Sequence, residues 1–130
     1  MNITFRIIIF IPMFFANVAA SCQATFKDLS VNEFADKLKS GSVSVIDLRT
    51  ADELKAGVIG EPLHIDFLNA DFEARIARLD RNKTYLIYCA SGYRSGEAFK
   101  LMEQLRFMNV YNLPSGFTGW KRAGKPVSKF

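Results

Sequence analysis

Short apolar runs alternate with amphipathic segments along this chain of 130 residues. This alternation restricts the fold more than any other feature of the sequence. The apolar runs predict strands over residues 43–47, 63–66, 84–88 and 110–113. The segments beside them predict helices over residues 30–38, 50–56, 70–79, 95–105 and 117–123, and Thr50 with Glu53 forms a capping box. Strands and helices that alternate at this spacing form a mostly parallel sheet with helices on both faces. The sequence therefore predicts an α/β fold.

The amino-terminal residues 1–21 have the pattern of a signal peptide. Arg6 supplies a positive charge, residues 7–16 form an apolar run, and small residues follow. The run is too short to span a bilayer, which takes about 20 residues, and signal peptides combine these three features. We therefore expect residues 22–27 to form a tether and residues 28–130 to form one domain. The alternative is that the apolar run is a buried helix of the domain.

Cys22 directly follows the small residues and is one of two cysteines in the chain. The sequence from Ala19 to Cys22 resembles a bacterial lipobox, whose cysteine is lipidated, although Ala19 stands where lipoboxes favour leucine. We expect an exported protein on the periplasmic side, anchored to a membrane through lipidated Cys22. Several acyl chains are needed for stable anchoring. Ordinary cleavage before Ser21, which gives a soluble periplasmic protein, is the alternative.

The net charge of +4 is mild for a chain of this length. Proteins that bind nucleic acids concentrate basic residues on one face, and the sequence has no basic run with interleaved aromatic residues. We therefore expect no nucleic-acid partner. The small positive excess is suited to attracting a small anion.

Cys89 stands at the end of the strongest predicted strand, and a short loop leads from it into the next predicted helix. Parallel α/β folds bind ligands at the carboxyl ends of their strands, and Cys89 and Asp47 each stand at the end of a predicted strand. Both are therefore candidate site residues. The residues that follow the cysteine are Ala90, Ser91, Gly92, Tyr93, Arg94 and Ser95. Backbone N–H groups of the loop, together with the arginine, would stabilise a thiolate, a persulfide or an oxyanion. From these residues alone, a buried structural cysteine is the alternative.

These residues resemble the motifs of rhodanese domains, and the resemblance covers roughly residues 26–128. The matching segments are 45–49, 53–59, 89–95, 109–113 and 116–127. One departure is Val58, where the family often has histidine. The resemblance implies a central parallel sheet of about five strands in one domain, with neither a metal nor an organic cofactor.

The same resemblance implies a sulfurtransferase in which Cys89 is the catalytic residue. A rhodanese takes sulfane sulfur from a small anionic donor such as thiosulfate, holds it as a persulfide, and passes it to cyanide, a thiol or a protein. Residues 90–95 would then surround the substrate, while Asp47 and Arg49 would brace the loop. From the residues alone, the alternative for Asp47 is a solvent-exposed carboxylate at the end of a strand.

Two other functions compete with this expectation. Cysteine-based phosphatases also combine a cysteine, an anion-binding loop and an arginine, but their loop is longer than the four residues between Cys89 and Arg94. A tighter loop suits one sulfur atom better than a tetrahedral phosphate. Some rhodanese-like domains are non-catalytic binding modules that have lost the cysteine. A sulfur relay that depends on a protein partner lies between a sulfurtransferase that acts on free substrates and a binding module.

Overall fold

A computed structural model describes residues 19–130, so nearly all of the predicted signal peptide lies outside the described residues. The strands are β1 (Thr25–Asp28), β2 (Ser44–Asp47), β3 (Leu63–His64), β4 (Thr84–Tyr88) and β5 (Asn109–Asn112). The helices are α1 (Val31–Lys39), α2 (Ala51–Leu54), α3 (Phe72–Ala77), α4 (Tyr93–Gln104) and α5 (Gly116–Arg122). Within residues 19–130, none of these helices is long and apolar enough to cross a membrane.

The five strands form one parallel sheet in the order β1-β5-β4-β2-β3. The central strand β4 pairs with β2 in a register that sets Asp47 beside Tyr88. Because parallel strands end at the same edge of a sheet, the segments that follow β2 and β4 lie side by side. The predicted α/β fold with a five-stranded parallel sheet is confirmed, and Asp47 and Cys89 both lie at its carboxyl edge.

Side chains that alternate along β4 divide the core into two layers, because successive residues of a strand point to opposite faces. Tyr85, Ile87 and Cys89 pack in a layer with α3 and α4, whereas Leu86 and Tyr88 pack in a layer with α1 and α5. The burial of each large apolar side chain contributes about 1.5–3 kcal/mol to folding. Helices therefore cover both faces of the sheet, and Cys89 belongs to the layer beneath α4.

The structure differs from the sequence prediction at residues 22–27, which were expected to form a tether. Residues 25–27 belong to β1, whose register with β5 begins at Thr25 and Asn109. This edge strand has two half-buried residues followed by two exposed ones, so it lacks the alternation by which half-buried strands are recognised. Other elements are also shorter than expected: α2 lies within residues 50–56, α3 lies within residues 70–79, and β3 covers half of residues 63–66.

Candidate active site

Cys89 lies between the end of β4 and the start of α4, and its side chain is only 1% exposed. The backbone N–H of Gly92 donates to Sγ over 3.1 Å. The thiol itself lies 3.5 Å from the hydroxyl oxygen of buried Ser95, to which it donates. The sulfur is therefore held inside the curve of its own loop, facing an amide donor and a hydroxyl group.

Two glycines allow the Cys89 loop to approach residues 114–116 at the start of α5. Gly92 has a φ of +100°, and a Cβ at this position would collide with the backbone carbonyl of Pro114. Gly116 has a φ of +62°, and a Cβ there would collide with the carbonyl of Ala90. Only glycine adopts these left-handed conformations without strain and leaves room for so close a contact.

The first residues of α5 orient the peptide groups of the loop. The N–H of Phe117 donates to the carbonyl of Cys89 over 2.8 Å, and the N–H of Thr118 donates to the carbonyl of Ala90 over 3.0 Å. In a trans peptide the C=O and the following N–H point in opposite directions. The N–H groups of Ala90 and Ser91 are therefore directed away from α5.

The helix α4 begins at Tyr93, two residues earlier than the sequence predicted. Left-handed Gly92 precedes it, and no side chain caps this helix by a hydrogen bond. Tyr93, Arg94 and Ser95 thus form its first turn, whose N–H groups have no acceptor within the helix. These groups and the positive end of the helix dipole favour negative charge beside Cys89.

Arg94 of the loop forms a bidentate ion pair with Glu53 of α2. Two guanidinium nitrogens donate to the two carboxylate oxygens, each over 2.7 Å. The hydrogen bonds from Arg94 lower the pKa of Glu53 to about 2, although partial burial of the carboxyl acts in the opposite direction. The side chain of Arg94 is 18% exposed and that of Glu53 is 32% exposed, so solvent screens this ion pair only in part. The charge of Arg94 is therefore compensated by a residue outside the loop.

Glu53 also completes the predicted capping box of α2. Its carboxylate accepts the N–H and the hydroxyl of Thr50 over 2.8 and 3.0 Å, and the Thr50 hydroxyl accepts the N–H of Glu53. Sequence reasoning identified this local role but missed the contact with Arg94, which lies 41 residues away. The capping box alone accounts for a glutamate at position 53, so the sequence gives no separate signal for the ion pair between Glu53 and Arg94.

Asp47 and Arg49 form a buried ion pair at the end of β2. Arg49 donates through Nε and Nη2 to the Asp47 carboxylate over 3.0 and 2.7 Å. Burial disfavours the charge of Arg49, but the hydrogen bonds and charge of Asp47 raise its pKa above the ordinary value. The hydroxyl of Tyr88, which sequence reasoning did not single out, donates to Asp47 and accepts the N–H of Ile59. Asp47 is therefore a buried, compensated carboxylate and not a solvated strand end.

Arg49 links this ion pair to α2 and α5. Its guanidinium donates to the carbonyls of Glu53 and Gly57 over 3.2 and 2.8 Å. It also lies 3.9 Å from the ring centre of Phe117, whose N–H holds the carbonyl of Cys89. The contact between Arg49 and the Cys89 loop therefore passes through the first turn of α5.

Cys22, the predicted lipidation site, lies apart from these residues. It is exposed and precedes β1, whereas the thiol of Cys89 is buried, and both cysteines are free thiols. Within residues 19–130, no three side chains of the kinds that ligate metals form a cluster.

Comparison with known proteins identifies the family. The profile of the rhodanese-like domain family matches residues 30–123. The chain belongs to this family. The rhodanese-like domain is 27% identical to the thiosulfate sulfurtransferase GlpE of Shewanella oneidensis, over 78% of this chain and 98% of that protein. It is 29% identical to the putative sulfurtransferase YtwF of Bacillus subtilis, over 77% of this chain and 95% of that protein.

Solved structures of other rhodanese-like proteins have the same fold. A rhodanese-related protein from Thermoplasma volcanium matches with a TM-score of 0.70 and 26% identity, over 79% of this chain and 98% of that chain. A rhodanese-like domain protein from Staphylococcus aureus matches with a TM-score of 0.65 and 25% identity, over 79% and 99% of the two chains. The family match and the sulfurtransferase relatives together support a sulfurtransferase-family role.

Proposed function

We propose that this rhodanese-like protein is a sulfurtransferase that carries sulfane sulfur as a persulfide on Cys89. The observation that carries the proposal is the position of Sγ, which accepts the N–H of Gly92 inside a loop whose carbonyls are held by α5. Relatives that are named as sulfurtransferases, and that match this chain over almost their whole length, support the same chemistry.

The reaction would proceed in two half-reactions. The Cys89 thiolate attacks the sulfane sulfur of the donor, a sulfur–sulfur bond to Cys89 forms, and the sulfur–sulfur bond of the donor breaks. With thiosulfate, the electron pair leaves on sulfite. A nucleophile such as cyanide, a thiol or a protein then takes the outer sulfur, and Cys89 leaves as the thiolate. Neither half-reaction needs a cofactor.

The residues around Cys89 would take different parts in this reaction. The backbone of residues 90–95 would bind the donor and stabilise the negative charge of the persulfide, because preformed N–H donors need little reorganisation. Asp47 and Arg49 would act as positioning residues, since their contacts reach the loop through Phe117.

The first prediction concerns the covalent intermediate. Incubation with thiosulfate should add one sulfur atom to the protein at Cys89, and cyanide should remove it, as followed by intact mass. Cys89→Ser should abolish both changes. Cys22→Ser is the matched control and should preserve them, because Cys22 is exposed and apart from the loop. Wild-type protein that stays unmodified with thiosulfate and with other sulfane donors would contradict the proposal.

A sulfur relay that depends on a protein partner is the second candidate. Cys89 is almost inaccessible, while Tyr93 at the start of α4 is 74% exposed, and exposed tyrosines are frequent in protein interfaces. In a relay, a partner protein would supply or accept the sulfur, and free thiosulfate and cyanide would give no turnover. A thiosulfate:cyanide assay, run beside the mass measurement, therefore separates the two candidates.

The site of action would be the periplasmic side of a membrane. The support for this proposal is the signal-like pattern of residues 1–21 and the exposed position of Cys22 ahead of β1. The proposed form is a lipoprotein anchored through Cys22, and the alternative is a soluble periplasmic protein.

A further inference from the structure

Arg94, the cation of the Cys89 loop, has an acidic environment. Its hydrogen bonds to Glu53 are the main cause of its raised pKa, and the charges of Cys89 and Asp66 raise that pKa further. The guanidinium of Arg94, which lies in the loop that follows Cys89, is paired with the carboxylate of Glu53 through two hydrogen bonds of 2.7 Å. The side chain of Arg94 is therefore a compensated charge and not a free cation.

The second arginine near the site does not restore a positive field. Arg49 is 2% exposed and donates to Asp47, which is wholly buried. Its remaining hydrogen bonds go to the backbone carbonyls of Glu53 and Gly57. Both arginines are therefore paired with carboxylates, whereas the backbone N–H of Gly92 donates directly to the sulfur.

We infer that Glu53 is a specificity-determining residue of the Cys89 site. By compensating Arg94, it reduces the advantage that a doubly charged donor would have over a singly charged one. This inference rests on the proposed sulfurtransferase function and defines which charge class of donor the site favours. Donors of low charge gain relative to thiosulfate, because binding depends on backbone N–H groups more than on net charge.

Two small donors that differ by one charge test this inference. Thiosulfate carries two negative charges, whereas methanethiosulfonate carries one because a methyl group replaces an oxygen. With either donor, the Cys89 thiolate attacks the terminal sulfur, a sulfur–sulfur bond forms, and the bond to the sulfonyl sulfur breaks. The electron pair leaves on sulfite or on methanesulfinate, so each reaction is balanced without a further reactant.

Glu53→Gln is the informative substitution because it removes the charge and keeps the capping box. A glutamine carbonyl oxygen accepts the N–H of Thr50 as the carboxylate does. We expect kcat/KM to rise about fourfold for thiosulfate and about twofold for methanethiosulfonate, since the freed charge of Arg94 acts twice as strongly on the dianion. Added salt should reduce both gains.

Two comparisons show whether Arg94 causes the change. Asp52→Asn is the matched control, because Asp52 is the neighbouring carboxylate of α2, is 89% exposed, and pairs with Lys55. It should leave the ratio of the two kcat/KM values unchanged. In an Arg94→Ala background, Glu53→Gln should no longer raise that ratio. An unchanged ratio in Glu53→Gln, or an equal rise without Arg94, would overturn the inference.

Alkylation of Cys89 tests the charge effect without sulfur transfer. In a Cys22→Ser background, the ratio of the iodoacetate rate to the iodoacetamide rate should rise about twofold on Glu53→Gln and stay constant on Asp52→Asn. Thermal unfolding verifies that each variant is folded. A raised alkylation ratio without persulfide formation would refute the proposed function but support the effect of Glu53 on the charge of the Cys89 site. Persulfide formation with unchanged ratios would overturn the role of Glu53 alone.

Discussion

At the residue scale, the two glycines at the start of α4 have opposite surroundings. Gly92 has a φ of +100°, and an added Cβ would collide with the carbonyl of Pro114. Gly96 lies in the helix, and an added Cβ would meet no atom within 4 Å beyond the adjacent residues and the backbone of its own helix. Alanine is therefore strained at the first position and compatible with the second.

We predict that Gly92→Ala lowers the free energy of unfolding by about 1–3 kcal/mol, because it combines a left-handed φ with a backbone collision. It should also slow persulfide formation, because the N–H of Gly92 would shift away from Sγ. Gly96→Ala should raise the free energy of unfolding by about 0.4–1 kcal/mol and preserve persulfide formation. Denaturant titration and intact mass measure both effects. Equal effects of the two substitutions would contradict this account of the loop.

At the scale of elements, strong local patterns were predictable from the sequence. The bounds predicted for β4 agree with the structure, because an uninterrupted apolar run is expected for a strand buried on both faces. The start of α2 also agrees, since Thr50 and Glu53 form the capping box within four consecutive residues. The position of Cys89 at a strand end followed directly from the first of these patterns.

Features that depend on distant contacts were not predictable in this way. β1 is defined by its pairing with β5 and not by a pattern of its own. The start of α4 depends on left-handed Gly92, which gives no capping side chain for sequence reasoning to find. The contact between Glu53 and Arg94 joins two elements whose proximity results from the sheet order. The loop was therefore recognisable from the sequence, whereas the compensation of its charge was not.

The ion pair between Glu53 and Arg94 also gives a prediction for acid stability. The pKa of Glu53 lies at about 2 in the folded protein, below its ordinary value of 4.5. A lowered carboxyl pKa stabilises the fold above the ordinary pKa, and this stabilisation is lost as the pH falls through the folded pKa. The difference in free energy of unfolding between wild type and Glu53→Gln should thus be constant at pH values above the ordinary pKa of 4.5 and shrink as the pH falls towards 2.

Urea titrations at a series of pH values measure this difference. Asp52→Asn controls for the loss of one negative charge from the same helix, because its exposed carboxylate has no contact with Arg94. A difference between wild type and Glu53→Gln that does not change from neutral pH to pH 2 would show that the ion pair does not stabilise the folded protein.

At the scale of the whole molecule, the two cysteines have separate environments. Cys22 is exposed ahead of the first strand, whereas the sulfur of Cys89 is enclosed by its own loop beneath α4. A disulfide between them would require Cys89 to leave this loop. The proposed membrane anchor and the proposed sulfur site are therefore compatible within one chain.

We predict that protein isolated from its native membrane fraction carries a diacylglyceryl group on Cys22. Cys89 should be alkylatable after cyanide treatment, because cyanide removes the outer sulfur of a persulfide. A non-reducing peptide map measures both properties. An amino terminus at Ser21 without lipid would establish the soluble periplasmic form instead. A Cys22–Cys89 crosslink in most molecules would contradict both the anchor and the free thiol.

The pairing of β1 with β5 has a consequence for how the molecule is made. Among the described residues, β1 pairs with one strand alone, β5, which lies near the other end of the chain, and Asp28 of β1 also accepts a hydrogen bond from Asn112. The amides that hold the Cys89 loop belong to α5, which follows β5. A chain that is synthesised amino terminus first therefore cannot complete this sheet until β5 has emerged, or its thiol loop until α5 has emerged. Incomplete chains would lack the loop arrangement on which the proposed sulfur chemistry depends.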